Sequence, residues 1–319
     1  MYTIVSKKTL NPTVTMMEIE APHVAKSCEA GQFIILRTDK DGERIPLTVA
    51  GYDRKRGLVK IIFQTVGATT MRLSKMRVGD SLCDFAGPLG KPTELDGLGD
   101  VCIVGGGVGC AIALPIAEKL KKMGARVTSV IGFRSRDLVI LEDEFRAASD
   151  ELCVMTDDGS YGREGNVCLP LGELLSGGRR FDKVIAIGPL VMMKYAVLTV
   201  RPYGIPTDVS MNPIMIDGTG MCGGCRLTLN IDGKRVTKFA CVDGPDFDGY
   251  QVDFDEAMRR GAMYRDFERH AYERECNLFK EECKCLICRL KRTRCQRRTQ
   301  GFAPLTLTRL PSVTARLWQ

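Results

Sequence analysis

Histidine is almost missing from this chain: His23 and His270 are the only two in 319 residues. Neither stands at the spacing of a nucleophile triad or a metal pair, so imidazole-driven acid–base chemistry is not expected. Their charged or polar neighbours place both on the surface. Long apolar runs are missing too. The longest uncharged stretch, 101–117, is 17 residues and holds Gly105, Gly106, Gly107, Gly109 and Pro115. That composition suits a strand, a turn and a helix better than a bilayer span. The opening MYTIVSKKTL has neither an apolar h-region nor a small-residue cleavage site, which predicts a protein that is not exported. No acid occurs in 283–319, where nine residues are Lys or Arg. Without them the chain holds 37 basic against 39 acidic residues, a net of −2. The formal charge of +7 therefore belongs to the tail, and the body offers no electrostatic surface for nucleic acid.

What is present describes a globular protein. Apolar residues make up 44% and charged residues 27%, enough for two domains with separate cores. The 33 glycines are near the average share, which excludes collagen-like and low-complexity readings. Fourteen cysteines without an export signal argue for thiolate chemistry in a reducing compartment, the cytoplasm, over a disulfide framework.

Residues 1–98 read as short strands at 2–6, 14–20, 33–37, 47–52 and 58–65, separated by turns such as DKDG and DRKRG; strands at this spacing predict a β-barrel. From residue 99 the period changes. VCIVG leads into a helical stretch ending at Lys122, followed by strand VTSVIGF, helix LEDEFRAA, strand ELCVMT and strand KVIAIG. That alternation predicts an α/β domain with a parallel sheet over 99–210. A Gly- and Cys-rich segment follows at 211–250, then a helical stretch at 251–282 and the basic tail at 283–319.

The sharpest local signal is DGTGMCGGC with a later cysteine. Asp217, Cys222, Cys225 and Cys241 reproduce the CxxxxCxxC…C spacing of a [2Fe-2S] site, with Asp in the first place. Gly218, Gly220, Gly223 and Gly224 let the backbone curl so that N–H groups can face sulfur. A carboxylate keeps the charge of a thiolate while hardening one ligand. Two alternatives stay open: a zinc knuckle, for which the set lacks a histidine, and a three-thiolate site in which Asp217 only shapes a turn.

A second signal is VGGGVG (104–109), where a strand gives way to a helix, the context of a pyrophosphate-binding turn. It departs from GxGxxG because Cys110 takes the sixth place. Its weight comes from order: RIPLT (44–48) and QTVGATT (64–70) precede it, and TDDGSYG (156–162) and GPLVMMK (188–194) follow. With these motifs the sequence resembles the ferredoxin–NADP reductase superfamily. It is most similar there to the branch holding the electron-transfer subunits of dihydroorotate dehydrogenase and the small subunits of NADH-dependent reduced ferredoxin:NADP oxidoreductases, also called sulfide dehydrogenases. MNPIMIDGTGMCGGC, with Asp for the first Cys, sets the second group apart, and the likeness runs from about residue 1 to about 270.

The resemblance implies three cofactors. Arg44 would bind the diphosphate of FAD beside Pro46, with Leu47 and Thr48 next to the isoalloxazine and Thr48 near its N5, while Gly67, Thr69 and Thr70 complete the phosphate site. Gly106, Gly107 and Gly109 would hold the pyrophosphate of NAD(H), with Asp157, Asp158 and Gly188 along its ribose and nicotinamide side. Plainer roles compete: Arg44 as a solvated strand end, and Thr69 and Thr70 as caps of a helix beginning at Met71. Met192 and Met193 read as core. The two aspartates favour NAD(H), whereas Arg134 and Arg136 keep NADP(H) open.

A nicotinamide delivers electrons in pairs and a [2Fe-2S] cluster takes them singly, so a flavin must stand between them. The resemblance further implies a larger partner subunit with FAD and [4Fe-4S] clusters, with ferredoxin reached through that partner by electron bifurcation. The alternatives are the dihydroorotate dehydrogenase electron-transfer subunit and a non-enzymatic iron–sulfur or zinc interaction protein. The tail, with Cys283, Cys285, Cys288 and Cys295, departs from the family pattern and reads as an unstructured extension, with a partner- or nucleic-acid-binding arm and a small metal clip as the alternatives.

Overall fold

The computed structural model describes residues 2–278; the unstructured extension expected at 283–319 lies outside them. The amino-terminal part contains β1 (Tyr2–Asn11), β2 (Val14–Glu20), α1 (Pro22–Ser27), β3 (Phe33–Arg37), β4 (Ile45–Asp53), β5 (Leu58–Gln64), α2 (Ala68–Lys75), β6 (Ser81–Leu82) and β7 (Asp84–Leu89). The strands form one antiparallel barrel sheet in the order β6-β1-β2-β5-β4-β3-β7. Register explains its core. Met17 faces Ile61 and Ile19 faces Val59 across β2 and β5, and these side chains meet Ile34, Leu36, Val49 and Phe63 inside the barrel. Each such side chain contributes about 1.5–3 kcal/mol by leaving water.

The five expected strands are present, β2 and β3 with the expected bounds. β1 runs on to Asn11 because Lys7, Lys8 and Thr9 pair with Met17, Met16 and Thr15, a backbone interaction that needs no apolar side chain. The short elements α1, β6 and β7 were not legible in the pattern. One expectation is corrected: α2 begins at Ala68, not Met71, so Thr69 and Thr70 lie in its first turn, from which Thr70 caps the helix by accepting the Gly67 N–H.

The second sheet holds β8 (Asp100–Gly106), β9 (Arg126–Phe133), β10 (Glu151–Thr156), β11 (Arg163–Glu164), β12 (Lys183–Ile187) and β13 (Thr207–Ser210). Their connections carry α3 (Cys110–Lys122), α4 (Glu142–Ala148), α5 (Cys168–Ser176) and α6 (Leu190–Val200). The strands in the order β11-β10-β9-β8-β12-β13 are all parallel, and their order along the chain switches sides of the sheet between β8 and β12. β8 is buried on both faces: Val101 and Ile103 join the core under α3 and α4, while Cys102 and Val104 join that under α5 and α6.

The Cys-rich segment is more regular than its sequence suggests. It contains a hairpin of β14 (Arg226–Ile231) and β15 (Lys234–Phe239), then α7 (Ala240–Asp243) and β16 (Asp246–Asp248), which pairs antiparallel with β13 as the last strand of the second sheet. Asp232 and Gly233 turn the hairpin with φ of 50° and 77°, as a two-residue turn with both centres left-handed requires. The helical stretch expected near the end divides into α8 (Phe254–Ala262) and α9 (Arg265–Leu278), and α9 packs against α2. Among the described residues no helix is long and apolar enough to cross a membrane.

Candidate functional site

β4 lies between β3 and β5, inside the barrel sheet, yet Arg44, Ile45, Pro46, Leu47 and Thr48 are all partly exposed. A strand interior to a sheet that leaves a run of residues open marks a face available to a ligand. Next to it stands the amino terminus of α2. Thr70 Oγ accepts the Gly67 N–H at 3.0 Å and the Val66 N–H at 3.1 Å, which fixes the helix start, and Thr69 Oγ donates to Glu43 at 3.1 Å. Beside these groups is a cavity of about 300 Å³ whose walls include Asp41, Glu43, Thr69 and Arg72 and, from α9, Arg274. The share of α9 in this wall was invisible in the sequence, because it comes from a helix some two hundred residues away.

The glycine turns sit at the carboxyl ends of β8 and β12, on either side of the point where strand order reverses, the place where open α/β sheets bind ligands. The glycines have separate reasons. Gly107 has φ of 56°, which a side chain disfavours. A Cβ on Gly109 would lie 2.5 Å from the Ile187 carbonyl oxygen and 2.8 Å from Gly188 Cα, so this glycine lets the start of α3 close on the end of β12. A Cβ on Gly106 would meet Met192 Sδ at 2.3 Å, and one on Gly188 would meet Met192 Cε at 2.8 Å. Met193 is buried core as expected, whereas Met192 is only half-buried and packs across both glycine turns. Its place there follows from the first turn of α6, which brings residue 192 back over residue 188.

Asp157 and Asp158 are exposed at the carboxyl end of β10. The hydroxyl and N–H of Ser160 hold the Asp158 carboxyl below the usual carboxylate range. The Arg134 carbonyl accepts the Asp158 N–H, and Arg136 lies over the Tyr161 ring, so the acidic and basic motifs form one surface. His23 and His270 are exposed, as expected, and away from these turns in sequence.

The Asp/Cys loop gathers its donors unevenly. Cys225 and Cys241 are buried with their sulfurs 3.2 Å apart; Cys222 is exposed and Asp217 half-buried at the loop's outer side. Backbone N–H groups of Gly224, Asp217 and Ile216 face the Cys222 sulfur and lower its pKa. Burial and the adjacent Cys225 thiol push Cys241 up to about 12, while the Gly220 N–H faces its sulfur. Thr219 donates its hydroxyl to Asp217 at 2.7 Å, and Thr219 and Met221 donate their N–H groups to it. Gly218, Gly220 and Gly223 have φ of 82°, 86° and 65°, the backbone curl anticipated for this loop. Among the described residues no three such side chains converge as a single-ion site would require. Three thiols, one carboxylate and a lining of N–H donors fit the wider [2Fe-2S] group better than one zinc ion. Among the other buried cysteines, burial is the largest cause that raises Cys102 and Cys110 to about 12, assisted at Cys102 by Asp100 and opposed at Cys110 by the backbone N–H groups of Gly132 and Cys110.

Comparison with known proteins agrees with this geometry. Residues 212–253 match the iron–sulfur cluster binding domain of dihydroorotate dehydrogenase B. A dihydroorotate dehydrogenase B (NAD(+)) electron transfer subunit homolog from Thermotoga maritima is 47% identical over 85% of this chain and 94% of its own length. The electron transfer subunit from Streptococcus pneumoniae strain R6 is 34% identical over 76% of this chain and 94% of its own. The chain belongs to the dihydroorotate dehydrogenase B electron transfer subunit family. Within the family's reach lies a solved structure described as NADH-dependent reduced ferredoxin-NADP oxidoreductase, reported for flavin-based electron bifurcation. It is 44% identical, with a TM-score of 0.80, covering 86% of this chain and 97% of that one. Family membership makes the protein an electron-transfer oxidoreductase subunit of the flavin and iron–sulfur type, with the ferredoxin reductase-like pairing of barrel and parallel sheet.

Proposed function

We propose that this subunit passes electrons between NAD(H), FAD and a [2Fe-2S] cluster and exchanges them with a larger partner subunit carrying FAD and [4Fe-4S] clusters, in ferredoxin-linked transhydrogenation by electron bifurcation. The flavin belongs to 1–98, the dinucleotide to 99–210, and the cluster to 211–250, with 251–282 as a closing helical region. The observation that carries the reading is the position of β4. Its open end stands beside the cluster loop through the Arg44–Ile216 hydrogen bond of 2.9 Å, and its other end packs through Ala50 in the core with α3, which starts at the glycine turn.

Bound flavin supplies the exchange of a hydride pair for single electrons. The chain's own residues bind and orient. Arg44 and the amino terminus of α2, with Gly67, Thr69 and Thr70, would hold a diphosphate, and Pro46, Leu47 and Thr48 would lie beside the ring, with Thr48 near its N5. Gly106, Gly107 and Gly109 would form the pyrophosphate turn, Gly107 with open space beside it and Gly106 and Gly109 by letting Met192 and the end of β12 close on it, with Gly188 on the nicotinamide side. The Asp157 and Asp158 carboxylates accept ribose hydroxyls and repel a 2′-phosphate, which favours NAD(H) over NADP(H). Asp217, Cys222, Cys225 and Cys241 hold the cluster.

An electron partner is supported by an apolar rim at the loop. Met221 is 88% exposed beside Cys222, and Ile214, Ile216 and Val242 are also exposed. The free state of Cys28, Cys83, Cys102, Cys110, Cys153 and Cys168 suits the cytoplasm. The reading as the electron transfer subunit of a dihydroorotate dehydrogenase is favoured by the Streptococcus relative and distinguished by its partner, a dihydroorotate-oxidising subunit. The test is an ultraviolet–visible and EPR spectrum of anaerobically purified protein with NADH and NADPH titrated separately. Flavin bleaching by NADH well below the NADPH concentration needed, with a reduced [2Fe-2S] signal, is expected. Protein with iron and sulfide but no flavin overturns the proposal.

A further inference from the structure

Arg44 does more than face a phosphate. Its Nε donates to the carbonyl of Ile216 at 2.9 Å, across 172 positions of sequence, and Ile216 is the residue before Asp217. Its Nη1 is 3.8 Å from Asp84, which Arg37 holds at 2.8 Å, so the guanidinium is braced from the barrel side. A second contact seats the same arm independently. A Cβ on Gly218 would lie 2.7 Å from Ile35 Cδ1 and 2.8 Å from Leu89 Cδ1, so the backbone after Asp217 rests directly on β3 and β7. Ile35 pairs in turn with Pro46 of β4. Asp217 is thus flanked on both sides by residues anchored to the barrel, and Cys225 and Cys241 are packed in a core that Ile35 of β3 shares with α5 and α6.

From this placement we infer that Arg44 is a positioning residue joining two cofactor sites: it fixes the Asp217 arm of the cluster loop to β4, so that flavin loading and cluster geometry are linked. The inference rests on the proposed function. A guanidinium has five N–H donors, enough to serve the Ile216 carbonyl and a diphosphate oxygen together, and a planar fork that an ammonium cannot copy. Because both sites bias one side chain, the linkage is reciprocal: flavin that orders Arg44 orders the Asp217 arm, and a loaded loop favours flavin.

The test uses the full chain, anaerobically reconstituted with iron and sulfide, with and without added FAD. Arg44→Ala is expected to weaken FAD binding at least tenfold. When saturating FAD restores the flavin absorbance, the reduced EPR g-values and the cluster potential are expected to stay displaced from wild type. Arg44→Lys should recover flavin affinity more fully than the g-values. Gly218→Ala, which crowds the seat and strains the left-handed backbone after Asp217, should shift the g-values while saturating FAD still loads one flavin per chain. Wild-type protein stripped of flavin should show altered g-values that return on adding FAD, and this arm requires no variant to fold. Unchanged g-values in FAD-saturated Arg44→Ala, or in flavin-stripped wild type, overturn the inference and leave the functional reading intact; failure of wild type to bind any flavin sinks that reading instead.

Discussion

Asp217 is a hard oxygen donor in a loop otherwise supplied with sulfur, held in its charged form by the Thr219 hydroxyl and two backbone N–H groups. Asp217→Cys is expected to leave the cluster assembled but move its midpoint potential and EPR g-values, because ligand identity sets both; identical spectra and potential would remove Asp217 from the ligand set. Asp246 is a different kind of carboxylate. Thr93 donates to its Oδ2 at 2.6 Å, while its buried Oδ1 has no hydrogen-bond partner among the described residues. Burial pushes its pKa up to about 6, assisted by Asp208 and opposed by hydrogen bonds from Thr93 and Ser210 and by Lys183. The folded protein therefore binds this proton more tightly than the unfolded chain. The stability it contributes is fully present below the unfolded value near 3.8 and is lost as pH rises through about 6. Asp246→Asn should gain stability relative to wild type between pH 4.5 and 7.5, by at most about 3 kcal/mol, in paired thermal melts. A pH-independent difference would show that Asp246 does not titrate in this range.

At the scale of elements, the closeness of α3 to β12 depends on a missing side chain. Gly109→Ala would force a methyl group against the Ile187 carbonyl, costing about 1–3 kcal/mol and weakening NADH binding, with FAD content unchanged. Equal NADH affinity in equilibrium titrations would contradict this account of the turn. The run VGGGVG was legible because a strand-to-helix junction must supply such a turn, but the division of labour among its glycines was not. Gly106 is restricted by Met192, and that contact exists only once α6 has folded onto the second sheet. The hairpin β14–β15 escaped the pattern because Lys234, Arg235 and Lys238 leave β15 without clear alternation, so pairing with β14 decides its conformation.

At the scale of the whole molecule, the barrel and second sheet are joined by polar contacts. Glu29 accepts from Lys119 of α3 at 2.9 Å and from Arg54 at 2.5 Å, Asn11 donates to the Leu138 carbonyl, and Thr93 reaches Asp246. The apolar rim around the cluster loop is the expected seat of the larger subunit. Met221→Asp should retain flavin and cluster spectra while weakening assembly roughly tenfold, read by analytical ultracentrifugation of the mixed subunits; undiminished assembly would place the partner elsewhere.

Barrel, parallel sheet and the Gly- and Cys-rich loop carrying Asp217, Cys222, Cys225 and Cys241 were legible along the chain, because strand period, helix period and residue spacing are local properties. Tertiary structure alone decided that Arg44 reaches Ile216, that Met192 crosses the glycine turns, that α9 walls the cavity beside α2, and that β16 completes the second sheet. Each joins residues far apart along the chain or folded onto one another by a helix. Such contacts are set by how packed elements meet, which no spacing along the chain encodes.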